Sequence, residues 1–399
     1  MSFLNNNISF GDRRLVGQYD AREKLEKILK SDRLSHSYLI TGPSGVGKTA
    51  FALTMAEAIN GIDNLTDLKG TAESKKSSWF AHPDIHLFIP FPSKGENEIQ
   101  PRIEMVAQDP YEIVDFAIRP ALNSEKISKN RRAFYPIDYY RSDIQPLMKY
   151  NPNEGRRTVV VITEIDTMRK EAANAFLKFL EEPSSRLVFI LTATNTDQLL
   201  PTIISRCQQI RLNPLREEEI RNGLVQYDNK SEEDASFLAR MADGNYALAR
   251  YFDVDTLKQT RTEIIEFLRF SYTQDVPALL NIINDWNSKL NTENQIAVCN
   301  SIEQFLRDIL VYREQNDSRL VTNVDQLEVI KKFTASMKDA RIVEMIEHLQ
   351  DLKQLLYQNV QLKYIFTTLS MRYSSLMRGL DPLIDENDAW KHLPALTEM

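Results

Sequence analysis

The run Gly42-Pro43-Ser44-Gly45-Val46-Gly47-Lys48-Thr49 constrains this chain more than any other feature, because it has the spacing GxxxxGK[ST] and the right neighbours. A β-branched run, Ser37 to Thr41, leads in, and a helical pattern of Phe51, Leu53, Met55, Ala56 and Ile59 leads out. Glycines at Gly42, Gly45 and Gly47 let backbone N–H groups curl around phosphate oxygens, and the N-terminus of the following helix adds partial positive charge. In such a loop Lys48 reaches the β- and γ-phosphates and the Thr49 hydroxyl ligates Mg²⁺. The motif therefore points to a strand, loop and helix that bind ATP with Mg²⁺. A glycine-rich turn without a nucleotide is the alternative.

Around this unit the first half of the chain is punctuated by short apolar runs: Ile85 to Ile89, Val159 to Ile162, Leu187 to Leu191 and the weaker Gln208 to Leu212. With helical patterns between some of them, they read as strands of a mostly parallel sheet buried on both faces. After Asn213-Pro214 the period changes to three or four. Ile296, Cys299, Ile302, Leu306, Ile309 and Leu310 fall on one helical stripe, as do Ile342, Met345, Leu349, Leu352 and Leu356, which predicts a helical second half. The 399 residues allow two to three domains at ~100–200 residues each. The stretch 61–132, with the polar runs Glu73 to Ser78 and Pro90 to Gly95, is the least regular and reads as an insertion in the first domain.

Hydrolysis requires more than a phosphate loop. ATPases of this type end a second strand in a carboxylate that helps to hold Mg²⁺, with an acidic neighbour that orients water. Here Val159 to Ile162 runs into Thr163-Glu164-Ile165-Asp166, so a threonine stands at the metal-side position while Glu164 remains a candidate for orienting water. Asp166 is either a substitute for the missing carboxylate or the N-cap of a helix starting near Met168.

Composition narrows the class. The 49 basic and 56 acidic residues give a net charge of −7, which argues against a basic nucleic-acid clamp acting alone, since phosphate affinity comes mostly from Lys and Arg. Cys207 and Cys299 are the only cysteines, too few for a disulfide framework or a four-thiolate zinc site, and they fit a reducing cytoplasm. Met1 to Phe10 is Asn-rich without a signal-like apolar core, and no apolar run approaches the ~18–20 residues that span a bilayer, so a soluble, cytoplasmic protein is expected.

Three further stretches carry a family resemblance: Ala172 to Pro183 (AANAFLKFLEEP), Leu191 to Asn195 (LTATN) and Pro201 to Cys207 (PTIISRC). Together with Val16-Gly17-Gln18, the phosphate loop and His82-Pro83-Asp84, they resemble the bacterial clamp-loader subunits of DNA polymerase III, most closely those of the delta-prime type. The resemblance covers most of the first ~210 residues. In the helical remainder, Gln358-Asn359-Val360-Gln361-Leu362 is similar to the start of the family's last helix.

The resemblance implies an α/β AAA+ domain over residues 1–212, an all-α lid over 213–275 and an all-α collar over 276–399 that joins subunits into a ring-like pentamer. It implies as partners the gamma/tau and delta subunits, a sliding clamp and, through the assembly, primer–template DNA. It also implies that Arg206 is an arginine finger projecting into a neighbour's ATP site, and it adds Asn195 to the nucleotide-binding set. Taken without the family, Arg206 is an ordinary solvated charge.

The departures point to a subunit with weak or no ATPase of its own. The family's zinc cysteines after the phosphate-loop helix are missing, so no zinc is expected. The lid's Gly-Ser-x-Arg pattern reads Gly244-Asn245-Tyr246-Ala247 here, and Arg250 reads as a surface charge. His82 and His86 share a strand face with no third ligand, Cys207 reads as a small buried residue, and Trp79 and Phe80 read as anchors of the insertion. The other readings are an active gamma/tau-like loader ATPase and a stand-alone phosphate-loop phosphotransferase. The latter leaves Ser205-Arg206-Cys207 and the helical half without a role.

Overall fold

The computed structural model describes residues 15–30, 34–60, 80, 82–93, 95–116, 133–149, 151–181, 186–290, 292–315, 317, 321, 323, 326–358 and 360–381. The Asn-rich first ten residues, the run Glu73 to Ser78, Trp79 and Pro183 lie outside them. Two compact units divide the chain, residues 1–250 and 251–399.

In the first unit five parallel strands, β1 (Ser37–Thr41), β2 (Ile85–Phe88), β3 (Thr158–Ile162), β4 (Leu187–Ala193) and β5 (Gln208–Arg211), stand in the order β2-β3-β4-β1-β5. Every residue of β3 and β4 is buried, as the unbroken Val/Ile/Leu runs require of strands covered on both faces. Helices α1 (Tyr19–Lys30), α2 (Lys48–Ile59), α3 (Ile99–Gln108), the short α4 (Ile137–Tyr139), α5 (Lys170–Glu181) and the short α6 (Pro201–Ile204) accompany the sheet. Among the residues of α2 only Thr49 escapes full burial, so this helix lies within the core rather than on its surface. On α5, Ala172, Phe176 and Leu180 recur at helical spacing and pack with Phe189 and Leu191, with the Phe176 and Phe189 rings edge to face at 5.0 Å.

The described part of 61–132 contains the strand expected at Ile85 to Ile89, seen as β2 and paired at the sheet edge with β3 from Ile85 opposite Val159 to Phe88 opposite Ile162, and in addition the helix α3, which the sequence reading did not foresee. The cause is local and apolar: Ile85, Leu87 and Phe88 are buried against the sheet and cannot be left in a surface loop. Downstream, α7 (Glu217–Asp228), α8 (Glu232–Met241) and the short α9 (Tyr246–Ala249) complete the unit. Asn229, in the left-handed region at φ 53°, ends α7, and Ser231 caps α8 by accepting from the Asp234 N–H.

The second unit is all helical among its described residues: α10 (Val254–Thr273), α11 (Val276–Lys289), α12 (Thr292–Gln315), α13 (Leu327–Ser336), α14 (Ile342–Gln354) and α15 (Leu362–Leu376). The stripe on α12 is buried from Ile296 to Ile309, with Leu310 at its margin, and that on α14 is buried throughout. Helix α10, which the sequence grouped with a lid, packs here on α11, α12 and α15. Phe267 of α10, Trp286 of α11 and Phe366 of α15 form an aromatic knot with centroids 5.1–5.6 Å apart. The Trp286 indole N–H is satisfied by Glu263 at 2.5 Å.

Candidate nucleotide site and arginine finger

Sheet order brings the motif residues together. Because β4 lies between β1 and β3, with Thr41 opposite Ala193 and Ile162 opposite Leu191, the loops that begin at Gly42, Thr163 and Thr194 leave the same carboxyl edge side by side. That edge is where ligands of open α/β sheets bind.

Gly45 and Gly47 take positive φ, 71° and 94°, so the loop needs glycine at both positions. Lys48 is buried, and its Nζ donates to the carbonyls of Gly42 at 2.9 Å and Pro43 at 2.6 Å. Burial pushes this ammonium down to about 8, with Glu164 and Asp166 acting in the opposite sense. Thr49 occupies the first turn of α2.

Thr163, in the position that would face a metal, is turned to the edge strand. Its hydroxyl and its N–H both donate to the Phe88 carbonyl, at 3.2 and 3.0 Å, and its own carbonyl accepts from the Tyr135 hydroxyl at 2.7 Å. Glu164 follows in the left-handed region at φ 48°, its N–H donating to the Thr192 hydroxyl at 3.1 Å. Burial, reinforced by Asp115 and Asp166 and opposed by Lys48, raises its carboxyl well above the usual carboxylate range.

Asp166 is not the N-cap of a helix. Its Oδ2 accepts from the N–H groups of Thr194 at 3.2 Å and Asn195 at 2.8 Å, fastening the β3 loop to the end of β4. Asn195 in turn spends its side-chain oxygen on the Asp197 N–H at 2.9 Å, capping the turn Thr196–Gln198.

Arg206 follows α6. One of its terminal nitrogens donates to Glu181 Oε1 at 2.9 Å and the other to the Thr202 carbonyl at 3.1 Å, leaving the side chain 34% exposed. Ser37 donates to the Arg206 carbonyl at 2.7 Å, tying the arginine's backbone to β1. Cys207 beside it is buried, its thiol pushed up to about 11 by desolvation.

Four residues shape the site through contacts that the sequence did not disclose. Gln18 clamps three segments, donating to the Asn213 carbonyl at 2.7 Å and the Val46 carbonyl at 3.4 Å and accepting from the Asn213 N–H at 3.1 Å. Tyr111 comes from the stretch read as irregular, and its hydroxyl accepts from the Val16 N–H at 2.9 Å. A Cβ on Gly47 would lie 2.8 Å from the Tyr111 ring, and one on Gly45 would collide with the side-chain oxygen of Asn245. The Ala247 N–H donates to the Gly45 carbonyl at 3.2 Å.

Arg250, expected as a surface charge, is instead 13% exposed and pairs with both Asp109 and Asp228, the latter at 2.8 Å. Desolvation works against its charge, but the two carboxylates outweigh it and raise its pKa. Gln18, in the Val16-Gly17-Gln18 box, and Asn245 and Ala247, in the lid pattern, carried a signal in the sequence, and Tyr111 carried none.

The phosphate loop therefore has the donor chemistry for a nucleoside triphosphate, and its residues are also engaged within the protein. Lys48 and Gly45 are committed to protein partners, and side chains stand against both glycines of the turn. Among the described residues no group of three or more His, Cys, Asp or Glu side chains is placed to hold a metal ion. His82 Nδ1 instead accepts the Asp84 N–H at 3.1 Å, and the Asp84 carboxylate accepts from three N–H groups, those of Asn153, Glu154 and Gly155. Among the described residues no helix is long and apolar enough to cross a membrane.

Comparison with known proteins adds the lineage. The chain is similar to DNA polymerase III subunit delta' of Bacillus subtilis (strain 168), 25% identical over 338 residues that cover 84% of this chain and 89% of that protein. It is 27% identical to DNA polymerase III subunit tau of Escherichia coli (strain K12) over 277 residues, 68% of this chain and 36% of the tau subunit. Among solved structures, a DNA polymerase III gamma subunit-related protein from Thermotoga maritima covers 89% of this chain, with 99% of its own length matched, at 16% identity and a TM-score of 0.39. A family model for the C-terminal part, DNA polymerase III, delta subunit, C terminal, matches residues 255–366. The model described as DNA polymerase III, delta subunit, matches residues 17–216, half of the chain, and with that match the chain belongs to the DNA polymerase III delta subunit family.

Proposed function

We propose that this chain is a clamp-loader subunit of the delta-prime kind. It assembles in the cytoplasm with gamma/tau-type ATPase subunits and a delta subunit, and the assembly loads a sliding clamp onto primed DNA. Within it the second unit supplies the collar contacts, and Arg206 serves a neighbour's ATP site.

The observation that carries this reading is the setting of Arg206. Its guanidinium is anchored at one edge by Glu181 and Thr202 and still a third exposed, while its backbone is tied to β1 through Ser37. A planar, permanently charged fork held in this way can meet charge developing on a transferring phosphoryl group, which a mobile ammonium does less well. The reverse side of the argument is the chain's own phosphate loop. Thr163 stands where a carboxylate would help to hold Mg²⁺, and its hydroxyl is spent on the Phe88 carbonyl. The gamma/tau-like ATPase reading retains Lys48, Thr49 and Glu164 in its favour and lacks that carboxylate.

The test is a reconstituted loader containing Arg206→Ala. The variant chain should fold and assemble as the wild type does, because the removed group makes only half-exposed contacts with its own chain. DNA- and clamp-stimulated ATPase should fall and clamp loading should fail, with Arg206→Lys a partial rescue. Fingers of this type are worth ~10³–10⁵ in rate at the site they serve. Normal loading by the Arg206→Ala assembly removes the finger from the proposal.

A further inference from the structure

We propose that the segment around Tyr111 is a built-in occupant of the nucleotide crevice. The chain does not admit a nucleoside triphosphate until this segment is displaced. The proposal goes beyond the finger reading, since it concerns the chain's own phosphate loop and does not depend on Arg206.

Three sets of contacts converge on it. The Tyr111 hydroxyl takes the Val16 N–H at 2.9 Å, and the same end of the ring lies against Gly47, so one side chain is wedged between the segment at Val16 and the phosphate loop. Over the loop, Asn245 sits against Gly45 and the Ala247 N–H donates to the Gly45 carbonyl. Beneath it, Lys48 is satisfied by the Gly42 and Pro43 carbonyls.

The occupant is also latched. The Tyr111 ring meets Tyr246 edge to face at 4.9 Å, and the Tyr246 hydroxyl donates to Asp228 at 2.6 Å. Arg250 bridges Asp228 to Asp109, two residues before Tyr111, with all three side chains 11–13% exposed. The 109–111 segment, the lid turn 244–250 and the end of α7 thus close together. A ligand whose competent state is a minor fraction binds more weakly in proportion to that fraction, so loosening the latch should tighten binding.

The test is titration of the full chain with a fluorescent ATP analogue and Mg²⁺, comparing the wild type with Tyr111→Ala and with Asp109→Asn. Each folded variant should bind at least about tenfold more tightly than the wild type. Adding Lys48→Ala to Tyr111→Ala should remove the gain, since an intact loop lysine is then required. A gain of less than about tenfold in both variants overturns the proposal. So does a gain that Lys48→Ala leaves untouched. If Tyr111→Ala does not fold, as judged by its melting transition, Asp109→Asn decides alone. A second reading comes from amide exchange at residues 109–116 in the wild type at saturating nucleotide. Exchange should rise as the segment leaves, and unchanged exchange at full occupancy also overturns the proposal.

Discussion

Replacing Asp84 by asparagine tests how the edge strand is joined to the sheet. The carboxylate is buried and accepts the N–H groups of Asn153 at 2.6 Å, Glu154 at 2.8 Å and Gly155 at 2.6 Å, while its own carbonyl accepts from Val159 at 2.8 Å. It therefore holds the loop that delivers β3 to its place beside β2. Hydrogen bonds to a charged group contribute roughly 1.5–3 kcal/mol each, but asparagine keeps one carbonyl acceptor and the exposed loop amides can turn to water. About 2 kcal/mol is the resulting cost, which for a unit of this size lowers the first melting transition by roughly 4–8 °C.

The pH dependence supplies the sign. Burial alone would raise the Asp84 carboxyl, yet the three N–H donors hold it net below its ordinary value of 3.8. A depressed carboxyl stabilises above its unfolded pKa and loses that contribution as pH falls through its folded value. The gap between wild type and Asp84→Asn should thus be full at pH 7 and shrink under acid, below pH 3.8. Thermal melting at several pH values and amide exchange at residues 153–155 measure it. Equal melting at pH 7, within about 0.5 kcal/mol, would refute the carboxylate anchor.

Other perturbations have defined outcomes. Arg250→Gln leaves Asp109 and Asp228 facing each other with 11–13% exposure, and loss of one partner of a buried pair costs on the order of 3 kcal/mol, read as a lower denaturant midpoint. Tyr135→Phe removes the hydroxyl that reaches the Phe88 carbonyl at 2.9 Å and the Thr163 carbonyl at 2.7 Å, at a cost of about 1 kcal/mol by the same assay. Cys207 and Cys299 are buried, with thiols pushed up to about 11 and about 12, so both should react with iodoacetamide in the native chain far more slowly than after denaturation, as mass spectrometry can follow.

Much of the architecture was legible in the residues. Ser37 to Thr41 is β1 to the residue, and the runs at Ile85, Val159 and Leu187 became strands because a strand buried on both faces must be largely apolar, while the weaker run at Gln208 became the mostly exposed edge strand β5. The stripes on α12 and α14 were readable for the analogous reason at a period of 3.6. The phosphate loop was legible because its glycines, lysine and threonine form a local unit whose conformation depends on its own residue types, as the positive φ of Gly45 and Gly47 illustrates.

What the sequence by itself determined is thus local and periodic: the strand–loop–helix motif, the helical second half, and the absence of enough cysteines for a thiolate zinc site. Only the tertiary structure decided what each charged or polar residue of the site touches. Arg250 reads as a surface charge until Asp109 and Asp228, distant in sequence, are brought around it, and Asp166 reads as either a substitute metal-side carboxylate or a cap until β4 places the Thr194 and Asn195 N–H groups against it. Tyr111 has no signature at all, because its role comes from Val16, Gly47 and Tyr246 meeting at one point. The physical reason is that burial, ion pairing and closure of a crevice depend on contacts between segments far apart in the chain, and residue spacing encodes periodicity within a segment but not such meetings between segments.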